Sequence, residues 1–200
     1  MHVKIIAEAG VNHNGDIGLA KELVAAGAEA GVDIVKFQSF KAENLVTKKA
    51  EKAQYQKNNC GVDESQYEML KKLELDEKMH FEIIECCKKH NVEFLSTAFD
   101  EESLTFLTTE AQLSVLKLPS GEITNGPFIH SHAKTGADLI VSTGMANLSE
   151  IEAALAVIAH GYCHPNEPIK RIDDCYGVMT KTEGMQVLKD KVTLLHCTSS

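Results

Sequence analysis

The chain has 200 residues, 44% of them hydrophobic, and a formal net charge of −9. That suits one globular domain and excludes the basic face a nucleic acid would need, although a small anion can still bind at a locally positive site. No stretch reaches 18 apolar residues, so no membrane-spanning helix is expected, and the opening MHVKIIAEAG reads as a strand, not a signal peptide. The six cysteines, Cys60, Cys86, Cys87, Cys163, Cys175 and Cys197, show no C-x-x-C and no zinc-finger spacing. They read as reduced thiols of a cytoplasmic protein.

Short apolar or β-branched runs alternate with helical patterns. Residues 3–7 read as the first strand. The following helix starts at Gly15 or Asp16, with Leu19, Leu23, Ala26 and Ala30 as its apolar stripe and Gly31 as a left-handed cap. Residues 33–38 form the second strand. Residues 39–64 are polar, irregular and long for a loop, which marks them as functional or partly helical. Helices over 65–73 and 77–90 follow, the second capped by Asp76, with Cys86 and Cys87 pointing partly inward. Residues 93–97 are the third strand, 101–110 a helix, 114–118 the fourth strand, 126–135 a short helix and 139–142 the fifth strand. Ser149 and Glu152 form a capping box for a helix with Ile151, Leu155 and Ile158 on one face and Gly161 at its end. Residues 162–189 are a variable polar segment with one helix near its end, and 192–196 are the sixth strand.

Repeated βα units imply a parallel sheet. The phrases AGVDIVKFQ and TGADLIVST nearly duplicate each other, each a helix end feeding a strand. A doubly wound sheet is the alternative, but no G-x-G-x-x-G follows the first strand. Polar residues end all six strands, where barrel enzymes carry their chemistry. The expected fold is α/β, a (β/α)8 TIM barrel of which this chain supplies about strands one to six. Six strands cannot close such a barrel, so the protein is expected to continue.

The strand ends hold the candidate site. The first ends Glu8-Ala9-Gly10, followed by Asn12, His13 and Asn14; the second carries Lys36 and Gln38 on one face; the third ends Ser96-Thr97. The fourth carries Lys117, Ser120, Glu122 and Asn125, the fifth ends Ser142-Thr143-Gly144, and the sixth ends His196-Cys197-Thr198-Ser199. Two lysines with hydroxyls and glycine-flanked amides are what a phosphate and a carboxylate need. A lysine inside a parallel strand must face a wet site or find a counter-ion. Glu8 and Glu122 suit holding a sugar hydroxyl or moving a proton, with an ion pair to a site lysine as the alternative for Glu8. Asn12 and Asn14 suit a turn. His13 stands between ligand contact and turn packing, and His196 between metal ligand and orienting group. His80, His90, His130, His132, His160 and His164 read as surface or packing residues.

The strings IIAEAGVNHNGD, AGVDIVKFQSF, VEFLSTAFD, LKLPSGEITN, LIVSTGM and LLHCTSS, in this order and each at an expected strand end, resemble the N-acetylneuraminate (sialic acid) synthase family. That family includes the legionaminic and pseudaminic acid synthases and the spore-coat polysaccharide synthases. The resemblance covers residues 5–200. It implies condensation of phosphoenolpyruvate with an open-chain N-acetylated amino sugar, N-acetylmannosamine or a 2,4-diacetamido-trideoxyhexose, giving a 2-keto sugar acid and phosphate. It implies phosphoenolpyruvate contacts at Lys36, Thr97, Lys117, Ser120, Ser142 and Ser199, sugar contacts at Gln38 and Glu8, proton handling by Glu8 and Glu122, and support from Asn12, His13 and His196. Some relatives read HCTN where this chain has HCTS, so Ser199 keeps a donor but loses the amide geometry. The resemblance further implies a divalent metal, Mn2+ or Mg2+, whose histidine ligands lie on strands seven and eight, beyond residue 200, so no metal ligand is expected in this chain. Residues 1–200 are then an N-terminal condensing-barrel domain, incomplete at its C-terminal end and inactive alone. A C-terminal antifreeze-like domain, reaching the partner's site in a homodimer, is expected in the full protein. Two alternatives stand beside this reading: a Schiff-base aldolase using Lys36 or Lys117, and a truncated ligand-binding form without catalysis.

Overall fold

The computed structural model describes residues 3–48 and 65–198, and among them the chain divides into two compact units, residues 1–106 and 107–200. In the first unit, β1 (Ile6–Gly10), β2 (Ile34–Ser39) and β3 (Glu93–Ala98) are parallel neighbours in chain order. Helix α1 (Ile17–Glu29) joins β1 to β2. Between β2 and β3 stand the short α2 (Ala42–Leu45), α3 (Gln66–Leu73) and α4 (Glu77–Lys89). Helix α5 (Glu101–Thr109) follows β3. In the second unit, β4 (Val115–Leu118), β5 (Asp138–Ser142) and β6 (Val192–Leu195) are again parallel and in chain order. A 3-10 turn (Ser120–Glu122) and α6 (Gly126–Lys134) follow β4, and α7 (Leu148–Cys163), α8 (Ile172–Met179) and α9 (Thr182–Lys191) lie between β5 and β6. Strand, helix, strand with every pairing parallel is the βα repeat of a partial (β/α) barrel.

Alternation along the strands sorts the side chains. Register pairs Ile6 with Ile34 and Glu8 with Lys36, then Lys36 with Leu95 and Gln38 with Thr97, so these residues share one face. The opposite face carries Ala9, Val35 and Phe37. Those three pack with Ala20 and Val24 of α1 and Ile83 and Cys87 of α4 into a buried core. Each large apolar side chain there contributes roughly 1.5–3 kcal/mol relative to exposure. Helix α1 is rotated about one residue from the expected stripe: Ala20, Val24 and Gly27 are buried, while Leu19 is 40% exposed. Small residues win because the helix sits close on the sheet; a Cβ on Gly27 would lie 3.0 Å from Val35 Cγ2.

Other boundaries also differ from expectation. Strand β1 starts later and runs on to Gly10, with a register shift between Glu8 and Gly10, so Glu8 stands inside the ladder opposite Lys36. Asp16 and Asp76 cap α1 and α4 as expected. The capping box of α7 is Asn147 with Glu150, not Ser149 with Glu152: Asn caps as well as Ser, and the earlier start adds helix. Gly161 does not end that helix. Its missing side chain lets α7 meet α6, where a Cβ would lie 2.6 Å from Ala133 Cβ. Residues 162–189 hold the end of α7, the whole of α8 and most of α9, where one helix was expected. Residues 49–64 of the expected long loop lie outside the described residues, and the preceding part includes α2. Gly31 and Gly136, in the two near-duplicate phrases, share a φ of +78°. They end their helices identically ahead of β2 and β5. The five cysteines within the described residues are free, with Cys87 buried and Cys86 against the core, while Cys60 lies outside them. No helix among the described residues is long and apolar enough to cross a membrane.

Candidate active site

In the first unit, three strand ends build one cluster. The Lys36 ammonium makes an ion pair with Glu8 Oε2 and donates to Thr97 Oγ1 at 3.3 Å. Its side chain is 13% exposed, against 50% for Glu8. The lysine is therefore rooted between strands while the carboxylate opens to solvent. A half-buried pair of this kind adds little stability, because desolvation offsets its Coulomb gain. Gln38 stands one alternation further along the same face, in register with Thr97. Gly10, at φ +55°, completes the cluster by absence: a Cβ there would come 3.2 Å from Glu8 Oε1 and 3.7 Å from Gln38 Nε2. Both alternatives raised for Glu8 and Lys36 meet here, since the ion pair is formed between two residues of the candidate site.

Support residues follow β1. Asn12 is exposed, and its backbone N–H donates to Ala9 O at 3.1 Å. His13 is fully buried, packs 6.1 Å from the Phe37 ring and accepts from Gly15 N–H at its Nδ1 (3.0 Å). The proton then resides on Nε2, and burial, with His80 nearby, holds the imidazole below its usual titration range. Of its two readings, the structure realises turn packing. Asn14 adopts φ +50°, as a turn-shaping asparagine does.

Behind the cluster, on the helix side of the sheet, lies a polar chain that the sequence reading did not assemble. His80 Nδ1–H donates to Asp76 O (2.8 Å), leaving Nε2 to accept from Ser39 Oγ–H (2.7 Å), which in turn accepts from Ser96 Oγ–H (2.7 Å). All three side chains are buried. Every step in this order is satisfied by a neutral imidazole, and burial lowers the His80 pKa accordingly. The chain fixes β2 to β3 one residue from both Gln38 and Thr97. Ser96 thus faces the helices, not the rim, as the alternation from Thr97 requires.

In the second unit, Lys117 is 7% exposed and donates to Leu118 O at 2.9 Å. It is in register with Ile140, so it shares a face with Ser142, which pairs with Leu195. Ser120 opens the 3-10 turn that ends at Glu122. Asn125 joins that turn to the next helix: its Nδ2 donates to Glu122 Oε2 at 2.7 Å while its Oδ1 caps α6 at Phe128 N. Thr143 donates through N–H and Oγ1 to Leu195 O at 3.2 and 2.9 Å, and a Cβ on Gly144 would meet Cys197 Sγ at 3.1 Å. These contacts seat the end of β6 against the S-T-G turn. His196 is exposed there, and Ser199 lies outside the described residues.

Among the described residues, no group of three or more His, Cys, Asp or Glu side chains could hold a metal ion. The resemblance assigns the metal's histidine ligands to strands seven and eight, beyond residue 200, and His196 alone does not make a site. A groove lined by Lys21, Phe81, Glu82 and Cys86 lies on the outer helices α1 and α4, away from the strand ends.

In each unit the carboxyl ends of the parallel strands carry charged and hydroxyl side chains, the end at which barrel enzymes place their chemistry. The chain matches the model of the NeuB family over residues 23–200 and belongs to that family. It is 56% identical over 154 residues to the N,N'-diacetyllegionaminic acid synthase of Campylobacter jejuni, covering 77% of this chain and 46% of that protein. It is 46% identical over 196 residues to the enzyme of the same name from Legionella pneumophila, covering 98% and 49%. The chain thus spans about half the length of these relatives. The crystal structure of the N-acetylneuraminic acid (sialic acid) synthetase of Leptospira borgpetersenii, in complex with citrate, superposes with a TM-score of 0.72 at 28% identity. It covers 100% of this chain and 55% of that one. That likeness over the whole chain makes the fold a partial (β/α) barrel and closes the doubly wound alternative.

Proposed function

We propose that the full-length protein condenses phosphoenolpyruvate with an N-acetylated amino sugar, giving a sialic-acid-type 2-keto sugar acid and phosphate. The observation that carries this reading is the Lys36 ammonium, seated between Glu8 and Thr97 at the strand ends with Gln38 on the same face. Lysine and hydroxyl suit the anionic substrate; the neutral amide and the open carboxylate suit a polyhydroxylated amide. The names of the relatives, and the citrate in the Leptospira structure, support an anion-accepting acid-sugar synthase.

In this reading Lys36 and Thr97, with Lys117, Ser120, Ser142 and Ser199, hold phosphoenolpyruvate, and Gln38 with Glu8 holds the sugar. The enol carbon attacks the aldehyde carbon to form the new C–C bond, and the aldehyde oxygen takes up a proton. Water adds at the former enol C2, and the C–O bond to phosphate breaks. Glu8 and Glu122 are the groups placed to give and take these protons. Asn12, His13 and His196 support the rim. The 200 residues form the incomplete N-terminal barrel of a cytoplasmic homodimer, with an antifreeze-like domain and Mn2+ or Mg2+ ligands further along the chain. The Schiff-base alternative calls for a neutral amine nucleophile, whereas Lys36 stands in an ion pair.

The test is phosphate release from phosphoenolpyruvate by the full-length protein across a panel of N-acetylated sugars, with and without Mn2+. Release is expected with at least one sugar and Mn2+ present, and none from residues 1–200 alone. Pyruvate trapped on Lys36 or Lys117 by borohydride, without phosphate release, would overturn the reading.

A further inference from the structure

Helix α2 begins four residues after Gln38, and its N-cap Lys41 makes no side-chain cap bond. The N–H groups at the start of a helix need acceptors, and here other segments of the first unit supply them. Lys41 N–H donates to Asp100 Oδ2 at 2.9 Å, and Ala42 N–H donates to Glu74 Oε1 at 2.6 Å. Asn44 Nδ2 donates to Asp100 Oδ1 at 3.3 Å. Asp100 is 8% exposed and takes two more bonds from Ser103, from N–H to Oδ1 at 2.9 Å and from Oγ to Oδ2 at 2.8 Å. One buried carboxylate thus binds the segment after β2 to the first turn of α5. Capping α5 alone would use only the Ser103 half of that set. The other half fixes the backbone that continues directly from Gln38. Phe99 N–H donating to Ser39 O at 3.1 Å ties the same two segments just before.

We propose that Asp100 is a positioning residue for the uncharged co-substrate: by holding residues 41–45 it sets affinity for the amino sugar and leaves affinity for phosphoenolpyruvate alone. The inference rests on the reading of the site given above. Its logic is the division of labour there. The charged anchor for the anion, Lys36, stands in the middle of β2, whereas the neutral amide of Gln38 belongs to the last residue but one of that strand, beside the clamped segment.

The experiment uses the full-length protein and the amino sugar that gives phosphate release with wild type. Asn44→Ala removes only the loop's side-chain bond to Asp100, Ser103→Ala removes only a helix-side bond, and Asp100→Asn disturbs both. The sugar KM is expected to rise about fivefold in Asn44→Ala and about tenfold or more in Asp100→Asn, as loss of one neutral or charge-assisted hydrogen bond implies. The phosphoenolpyruvate KM stays within about twofold, and Ser103→Ala leaves both values unchanged. Asn44 is exposed, so its variant decides the matter if Asp100→Asn does not fold. An unchanged sugar KM in Asn44→Ala, equal rises in both KM values, or a Ser103→Ala variant that matches Asn44→Ala would overturn the proposal. A wild type that releases no phosphate with any sugar overturns the parent reading, whereas an active wild type with flat KM values overturns this inference alone.

Discussion

A lysine that enters a parallel strand has to be answered by an anion or by water. Lys36 is answered by Glu8 from the neighbouring strand and by Thr97 from the next. An ammonium has three donors, and these two contacts leave a third for a ligand. For the full-length protein, Lys36→Met is expected to lower kcat/KM for phosphate release by about 10²–10³-fold, the scale of losing one charged donor to a reacting anion. Lys36→Arg is not expected to restore it, because a planar fork does not replace a point charge seated between a carboxylate and a hydroxyl. Steady-state phosphate release checks both, and Lys36→Met within threefold of wild type would remove Lys36 from the machinery. Lys36 and Gln38 were legible in the sequence because strand alternation alone puts them on one face. The fate of His13 was not, since its choice between ligand and turn depends on whether the chain after β1 folds it inward.

Helices and strands were legible where a local signal has one meaning. Gly31 ahead of β2 and Asp76 ahead of α4 are such signals, and both act as expected. Where two local signals compete, packing decides. Asn147-x-x-Glu150 and Ser149-x-x-Glu152 both spell a capping box, and only the first is used. Gly161 spells a helix end but serves as a contact surface against Ala133 and His130. Gly161→Ala is therefore expected to destabilise the protein by about 1–3 kcal/mol, the cost of overpacking a close contact, although alanine is the better helix former. Urea unfolding of the variant and wild type measures it. A neutral or stabilising result would show that α6 and α7 have room to move apart. The stripe of α1 failed for a related reason: periodicity gives the pattern, but the closeness of helix to sheet selects Ala20, Val24 and Gly27 over Leu19.

The protein buries several neutral imidazoles, and this couples its stability to pH. His132 is fully buried, and desolvation pushes its pKa down to about 4, although its Nδ1–H donates to Phe128 O at 2.9 Å. His80 is lowered as well by burial. In the unfolded chain these groups titrate near 6.5. Below that value the unfolded state binds protons that the folded state refuses, so stability rises with pH and falls as pH drops from about 6.5 towards 4. His132 alone accounts for a loss on the order of 3 kcal/mol across that window. Urea midpoints at pH 7 and pH 4.5 should differ accordingly, and His132→Gln should flatten the dependence. An equal slope in wild type and variant would show that other groups carry it.

The sequence by itself determined the alternation of strand and helix, the residues at the strand ends and the family those strings resemble, because each is written in a few neighbouring residues. The tertiary structure decided the partnerships: Glu8 with Lys36, Lys36 with Thr97, Asp100 with Lys41, Ser39 with Ser96 and His80. These pairs stand 28 to 61 residues apart. Which of several compatible polar groups meet is set by strand register and by how closely each helix sits on the sheet. A shift of one residue in a strand would turn Glu8, Lys36, Ser39, Ser96 or Thr97 to the other face.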